Sequence, residues 1–332
     1  MWACPAHASH RQIDLGFYVA KRVATIGVIL VIISGLIFAI TQALPGNVAR
    51  MIAGQFATPD VIAAIELKLG LNDPLLTQYW RWASGILSGD LGQSLIMERP
   101  IGPMLREALA KSALLATISM LLVTFVGVGQ GVVAAIKHNS ALDHGISVFT
   151  FLGISVPEFF WGIVLILVFA GYLHWLPSGG AGNLSAGWAA WASHLVLPAA
   201  TLTFAFIAHV SRMTRSSMLE TLRSPYVLFA RAKGLPERVV LVRHALRNAL
   251  LPTITVLAID VGLLIGGIVV VETVFSYPGL GRLLIFAIER HDLPLIQASI
   301  LVIAAIYCFA NLIADLLYAY FNPKIRYGGT RS

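Results

Sequence analysis

The chain has 332 residues, of which 58% are hydrophobic and only 12% are charged, against roughly 25% charged in soluble domains. Its net charge is +7 and its mean hydropathy is +0.81. Too little polar material remains to cover a water-facing surface, which excludes a soluble enzyme, a disordered chain and, despite the basic balance, a nucleic-acid binder.

A membrane helix needs about 20 apolar residues, and six segments qualify. After a segment at 1–22 come spans at 23–44, 112–136, 146–173, 195–211, 251–275 and 299–321, then a tail at 322–332. The first run is longer than the roughly 7–15 residues of a signal peptide's apolar region, so it is expected to stay as a helix. The third is interrupted at Pro157-Glu158, and the fourth is the shortest. The expected fold is an all-α integral membrane protein with six transmembrane helices. Cys4 and Cys308 make neither a disulfide framework nor a metal-ligand spacing.

Basic residues orient the spans. With the first segment inside, segments 1–22, 137–145, 212–250 and 322–332 carry 3, 1, 8 and 3 Lys and Arg. The outer segments 174–194 and 276–298 carry 0 and 2. The outer loop 45–111 is too long for the rule to apply. Both termini are therefore expected to be cytoplasmic.

Two loops have internal order. In 45–111, Thr58-Pro59-Asp60 starts a helix, Gly70 sits at its C-cap, and Asn72-Asp73-Pro74 starts another. With Tyr79, Trp80 and Trp82 at headgroup depth, the pair reads as an interfacial lid or a docking surface for an external partner. In 212–250, Ser224-Pro225 opens a short helix with small Ala230 and Ala232, ended by Gly234. Leu235-Pro236-Glu237 starts a second helix, with Val239, Val242, Leu246 and Leu250 on one face. Such a short helix could take a push from another protein and pass it to both spans it joins. Attraction of its basic residues to anionic lipid is the alternative.

At these residues the chain resembles a known family. Tyr226-Val227-Leu228-Phe229-Ala230-Arg231-Ala232-Lys233-Gly234-Leu235, followed by Arg243 to Pro252, is similar to the cytoplasmic EAA loop of binding-protein-dependent ABC importers. The branch it resembles is the first permease of the dipeptide/oligopeptide/nickel importers. Four further blocks agree in order: 69–74 with Gln78-Tyr79, 89–94, 272–281, and Asn311, Asp315 and Tyr318 with 322–327. The resemblance covers about residues 17–328. The acid that names the loop is absent, with Leu228 or Phe229 near its place.

The resemblance implies a type I importer transmembrane domain without catalysis or cofactor of its own. ATP and magnesium would sit on two ATP-binding partner subunits. The other partners would be a second homologous permease and a solute-binding protein, in a bacterial inner membrane. Tyr226, Ala230, Ala232, Gly234 and Leu235 would couple this chain to the ATPases. Glu272, Pro278, Gly279, Gly281, Asn311 and Asp315 fall in family motifs and are expected to be structural. Consistently, no G-x-x-x-x-G-K-[ST] phosphate loop occurs. The cargo would be a di- or oligopeptide, with a nickel chelate, glutathione or another small solute as alternatives.

Glu158 and Asp260 fall nearer mid-membrane. A buried acid there is costly unless it faces water or a partner, so both are candidates for the translocation path, packing against the second permease being the alternative. Gly127-x-Gly129-x-Gly131 and Gly262-x-x-x-Gly266 suit close helix contacts. An intramembrane protease lacks support, with no H-E-x-x-H or G-x-S-x-G. A secondary transporter would often show two repeated halves, and none is visible.

Overall fold

The computed structural model describes residues 15–43, 49 and 58–321. The expected tail at 322–332, the motif at 322–327, and Cys4 with most of the segment 1–22 lie outside the described residues.

Eleven helices make up most of the described chain: α1 Leu15–Ala43, α2 Pro59–Leu69, α3 Leu75–Leu87, α4 Ile101–Ile136, α5 Ala141–Ser155, α6 Glu158–Tyr172, α7 Trp188–Leu222, α8 Pro225–Ala232, α9 Glu237–Val274, α10 Leu280–Glu289 and α11 Leu293–Phe321. Five of them (α1, α4, α7, α9 and α11) are long and apolar enough to cross a membrane. They outlast the expected spans. α4 starts directly after Pro100, α7 runs through Pro198, and α9 begins at Glu237 and runs through Pro252.

The span expected at 146–173 is two helices, α5 and α6, bent by 108°. Proline disfavours helical backbone in the residue before it, and Val156 is extended at φ −111° and ψ 129°. The pair still travels the length of α7. Asp143 at the start of α5 binds Arg215, while Gly179 beyond α6 accepts a hydrogen bond from His194. Those two α7 residues lie about 30 Å apart by helical rise, the thickness of a bilayer core. The bent pair is therefore one crossing, the sixth.

Between lipid-embedded helices the hydrophobic effect supplies little attraction, so close packing must. α4 lies against α7 through two glycines. A Cβ on Gly131 would stand 2.6 Å from the Ser211 carbonyl, and one on Gly127 would stand 3.0 Å from Val210. Gly129 between them faces open space. On α9, Gly262 meets Asn311 of α11 while Gly266 is open; the close contact there is at Gly267 instead. Thr201, Thr203 and Thr214 donate to carbonyls four residues back on α7.

The α2–α3 segment packs on α1. Gly70 ends α2 with φ +64°. On α3, Tyr79 shares a hydrogen bond with Ser34 at 2.8 Å and meets the Phe38 ring edge-on. The segment before α4 is pinned by Asp292, fully buried ahead of α11, whose carboxyl accepts from Ser94 Oγ and from the Leu95, Ile96 and Leu295 amides.

Candidate functional site

α8 lies at one end of the bundle, between α7 and α9. Its inner face carries Val227 and Ala230, packed with Ala135, Met218, Val240, Ala245 and Ala249. Small Ala230 lets this short helix sit close. Tyr226 is half-exposed, and its hydroxyl accepts from Asn248 of α9 at 3.1 Å. Gly234 turns the chain at φ +74°, a left-handed conformation costly to other residues. Arg231 of α8 bridges the turn to Glu237 of α9 at 2.7 Å. The opposite face is bare: Leu228, Ala232 and Leu235 are exposed, and Phe229 is 70% exposed.

The helix after the turn differs from expectation. Val240–Leu246 is wound as a π-helix, whose i→i+5 bonds widen the turn. The buried face is therefore Val240, Ala245 and Ala249, while Val239 and Val242 are exposed. A 3.6-residue period through Val239, Val242, Leu246 and Leu250 misses this shift.

The two mid-span acids lie along one face of α9, Asp260 on the helix itself and Glu158 of α6 packed against it. Asp260 is only 1% exposed and meets His209 Nδ1 of α7 at 3.2 Å. Its second oxygen has no partner. His209, a residue the sequence reading passed over, is 41% exposed. A lone histidine in an apolar run was the available signal. Glu158 opens α6 half-buried, its carboxyl against Gly267 of α9; a Cβ there would stand 2.7 Å from Oε2.

Glu272 is the centre of a structural knot at the far end of the bundle. It is fully buried. Its carboxyl accepts from Ser112 Oγ of α4, and from the Gly281 amide at 2.7 Å and the Arg282 amide at 3.3 Å. These are first-turn amides of α10, where a helix N-terminus favours an acid. Ser112 accepts in turn from the Leu280 amide at 2.8 Å. Gly279 packs on the Glu272 carboxyl, and Gly281 on the Val269 backbone, so neither site has room for a Cβ. Tyr277 donates to the Lys111 carbonyl at 3.3 Å. Burial, with Glu272 nearby, pushes its hydroxyl up to about 12, so it remains a donor.

Near the α8 end, Asp315 of α11 meets Arg22 of α1 at 2.7 Å. Asn311 donates to the Tyr307 carbonyl. With Cys308 these residues line a cavity of about 330 Å³ between the two helices. No local pattern announces the Asp143–Arg215 pair, whose two bonds of 2.6 and 2.8 Å fix α5 to α7.

Six apolar crossings among the described residues, with a short, half-exposed helix mounted on two of them, define a multi-pass membrane protein. The comparisons agree. Residues 127–327 match the binding-protein-dependent transport system inner membrane component family, and residues 15–102 match the N-terminal region of such components. The chain belongs to this family of ABC importer permeases and is a multi-pass inner-membrane protein. It is 39% identical over 313 residues to a "probable peptide ABC transporter permease protein" of Sinorhizobium fredii, covering 94% of this chain and 100% of the relative. It is 40% identical over 310 residues to a glutathione transport system permease of Escherichia coli, covering 93% and 99%. A chain of the inward-facing MetNI methionine ABC transporter shares the fold at TM-score 0.55 and 15% identity, over 66% of this chain and 96% of that one.

Proposed function

We propose that this chain is the first permease of an ATP-driven importer of short peptides. It pairs with a second, homologous permease and receives its cargo from a solute-binding protein. Two ATP-binding subunits, which hold the nucleotide and magnesium, drive it by docking on α8. Both termini then lie in the cytoplasm. The observation that carries this reading is the two-faced α8. Its inner face is locked to α7 and α9, and its outer face presents Leu228, Phe229, Ala232 and Leu235 uncovered. A rigid-body push on α8 therefore moves both long helices, as alternating access requires.

Peptide cargo is supported by the relative named for peptide transport. Glutathione is itself a tripeptide, so the second relative supports the same chemistry. The test is uptake into vesicles that hold the whole assembly. Phe229→Asp places a charge on the bare face without touching the buried one. Gly234→Trp forces a left-handed backbone on a bulky residue. Both variants should reach the membrane at normal levels and lose most ATP-dependent uptake. Normal uptake in Phe229→Asp would refute docking through α8.

A further inference from the structure

The α5–α6 bend folds around Phe204 of α7. The Phe204 ring stacks on Trp161 of α6 with centroids 5.5 Å apart and meets Phe149 of α5 at 5.3 Å and 62°. Groups of opposite character flank this aromatic cluster. On one side is Glu158, half-buried, without a hydrogen bond or ion pair among the described residues. On the other are His209 and, one turn further on α7, exposed Arg212. The Arg212 guanidinium lies 5.6 Å from the centroid of the exposed Phe151 ring and meets no carboxylate among the described residues.

α9 supplies the scale. Asp260, which holds His209, and Gly267, which holds Glu158, are seven residues apart. They therefore share a helix face at about 10 Å separation. Ionisable side chains left exposed at bilayer depth are expensive unless they line a wet path or meet a partner. An acid and a basic pair about 10 Å apart, with aromatic surface between, match the two ends of a zwitterion. An extended peptide of two or three residues spans roughly 7–10 Å.

We propose that Glu158 and the His209–Arg212 pair are the two poles of a peptide-binding stretch of the path, Glu158 taking the ammonium and His209 with Arg212 the carboxylate. This rests on the import reading above and sharpens it to di- and tripeptides with both ends free. Asp260 is a positioning residue. Buried and bonded to Nδ1, its carboxylate pairs with His209 as the imidazolium, the form whose Nε2–H at the other edge of the ring can donate to a carboxylate in the path. Its unpartnered second oxygen is the cost of that placement.

The experiment measures binding of trialanine, N-acetyl-trialanine and trialanine amide to the purified permease–ATPase assembly without the binding protein. Each blocked end should weaken binding about tenfold, the value of one charge-assisted hydrogen bond. Glu158→Gln should erase the penalty for N-acetylation and keep that for amidation. His209→Gln and Arg212→Gln should reduce the amidation penalty alone. Asp260→Asn should follow His209→Gln, a selectivity that loose packing alone would not produce. Penalties that persist unchanged in all four variants overturn the proposal. So does loss of assembly with the second permease while assembled protein binds all three probes as wild type, which would make these groups an interface. Vesicles with the complete system separate the two readings. Transport of trialanine with end-blind binding removes the poles and leaves peptide import standing. Failure to move either trialanine or glutathione while ATP is hydrolysed removes both.

Discussion

At the scale of single residues, Glu272 shows how an acid survives sealed between helices. Its oxygens accept from Ser112 and from two amides of α10, and each buried donor left without an acceptor costs about 1–3 kcal/mol. Glu272→Ala should therefore lose roughly 3 kcal/mol or more. Glu272→Gln, which keeps one acceptor oxygen, should lose less. Gly279→Ala should resemble the alanine variant, because its methyl would collide with the carboxyl. The fraction of permease that stays monodisperse after a heat step measures all three, and equal survival of the wild type and Glu272→Ala would dismiss the knot. The sequence places Glu272 in a motif with Gly279 and Gly281, and the structure gives that spacing its reason. Asp260 was legible only in part. An acid at mid-span is visible in sequence, but its partner His209 lies 51 positions earlier, and no local pattern joins them.

At the scale of elements, the α4–α7 contact depends on which glycine of a repeated pattern faces the neighbouring helix. Gly127 and Gly131 are four apart and share the α7 face, whereas Gly129 turns away. Gly131→Ala should cut the yield of folded permease several-fold, since a Cβ there meets the Ser211 carbonyl backbone. Gly129→Ala should stay near the wild-type level. Detergent-soluble monodisperse yield compares them, and equal yields would show that the helices separate freely. The sequence identified the glycine pattern but left the facing pair open, because facing depends on the neighbour's position. Local signals gave the helix starts at Pro59 and Pro225 and the turns at Gly70 and Gly234. The π-helical stretch at Val240–Leu246 was hidden, because its i→i+5 bonding leaves no fixed sequence spacing. The 108° bend was legible as an interruption at Pro157, but its angle was not, and both arms pack on Phe204, which is distant in the chain.

At the scale of the whole molecule, the bent pair decides the topology. A re-entrant α5–α6 would return to its starting side and leave five crossings, with the two ends of the chain on opposite faces. The contacts of Asp143 with Arg215 and of Gly179 with His194 argue for a full crossing. α1 and α11 agree, because Arg22 and Asp315 meet near one end while Thr41 and Gln297 meet at the other. Leu15 and Phe321 thus lie on the α8 side. In the proposed orientation, with the more basic side inward, that side is the cytoplasm. In a cysteine-free background, Ser185→Cys between α6 and α7 should react in intact cells with a maleimide that cannot cross the inner membrane. Lys233→Cys at the end of α8 should react only after the cells are permeabilised. If α5–α6 were re-entrant, residue 185 would share the inner side of residue 137, and α7, which still crosses, would carry residue 233 to the outer side. Labelling of Lys233→Cys in intact cells while Ser185→Cys stays protected would overturn the six-crossing arrangement, and with it the proposed placing of α8 where ATP-driven subunits can reach it.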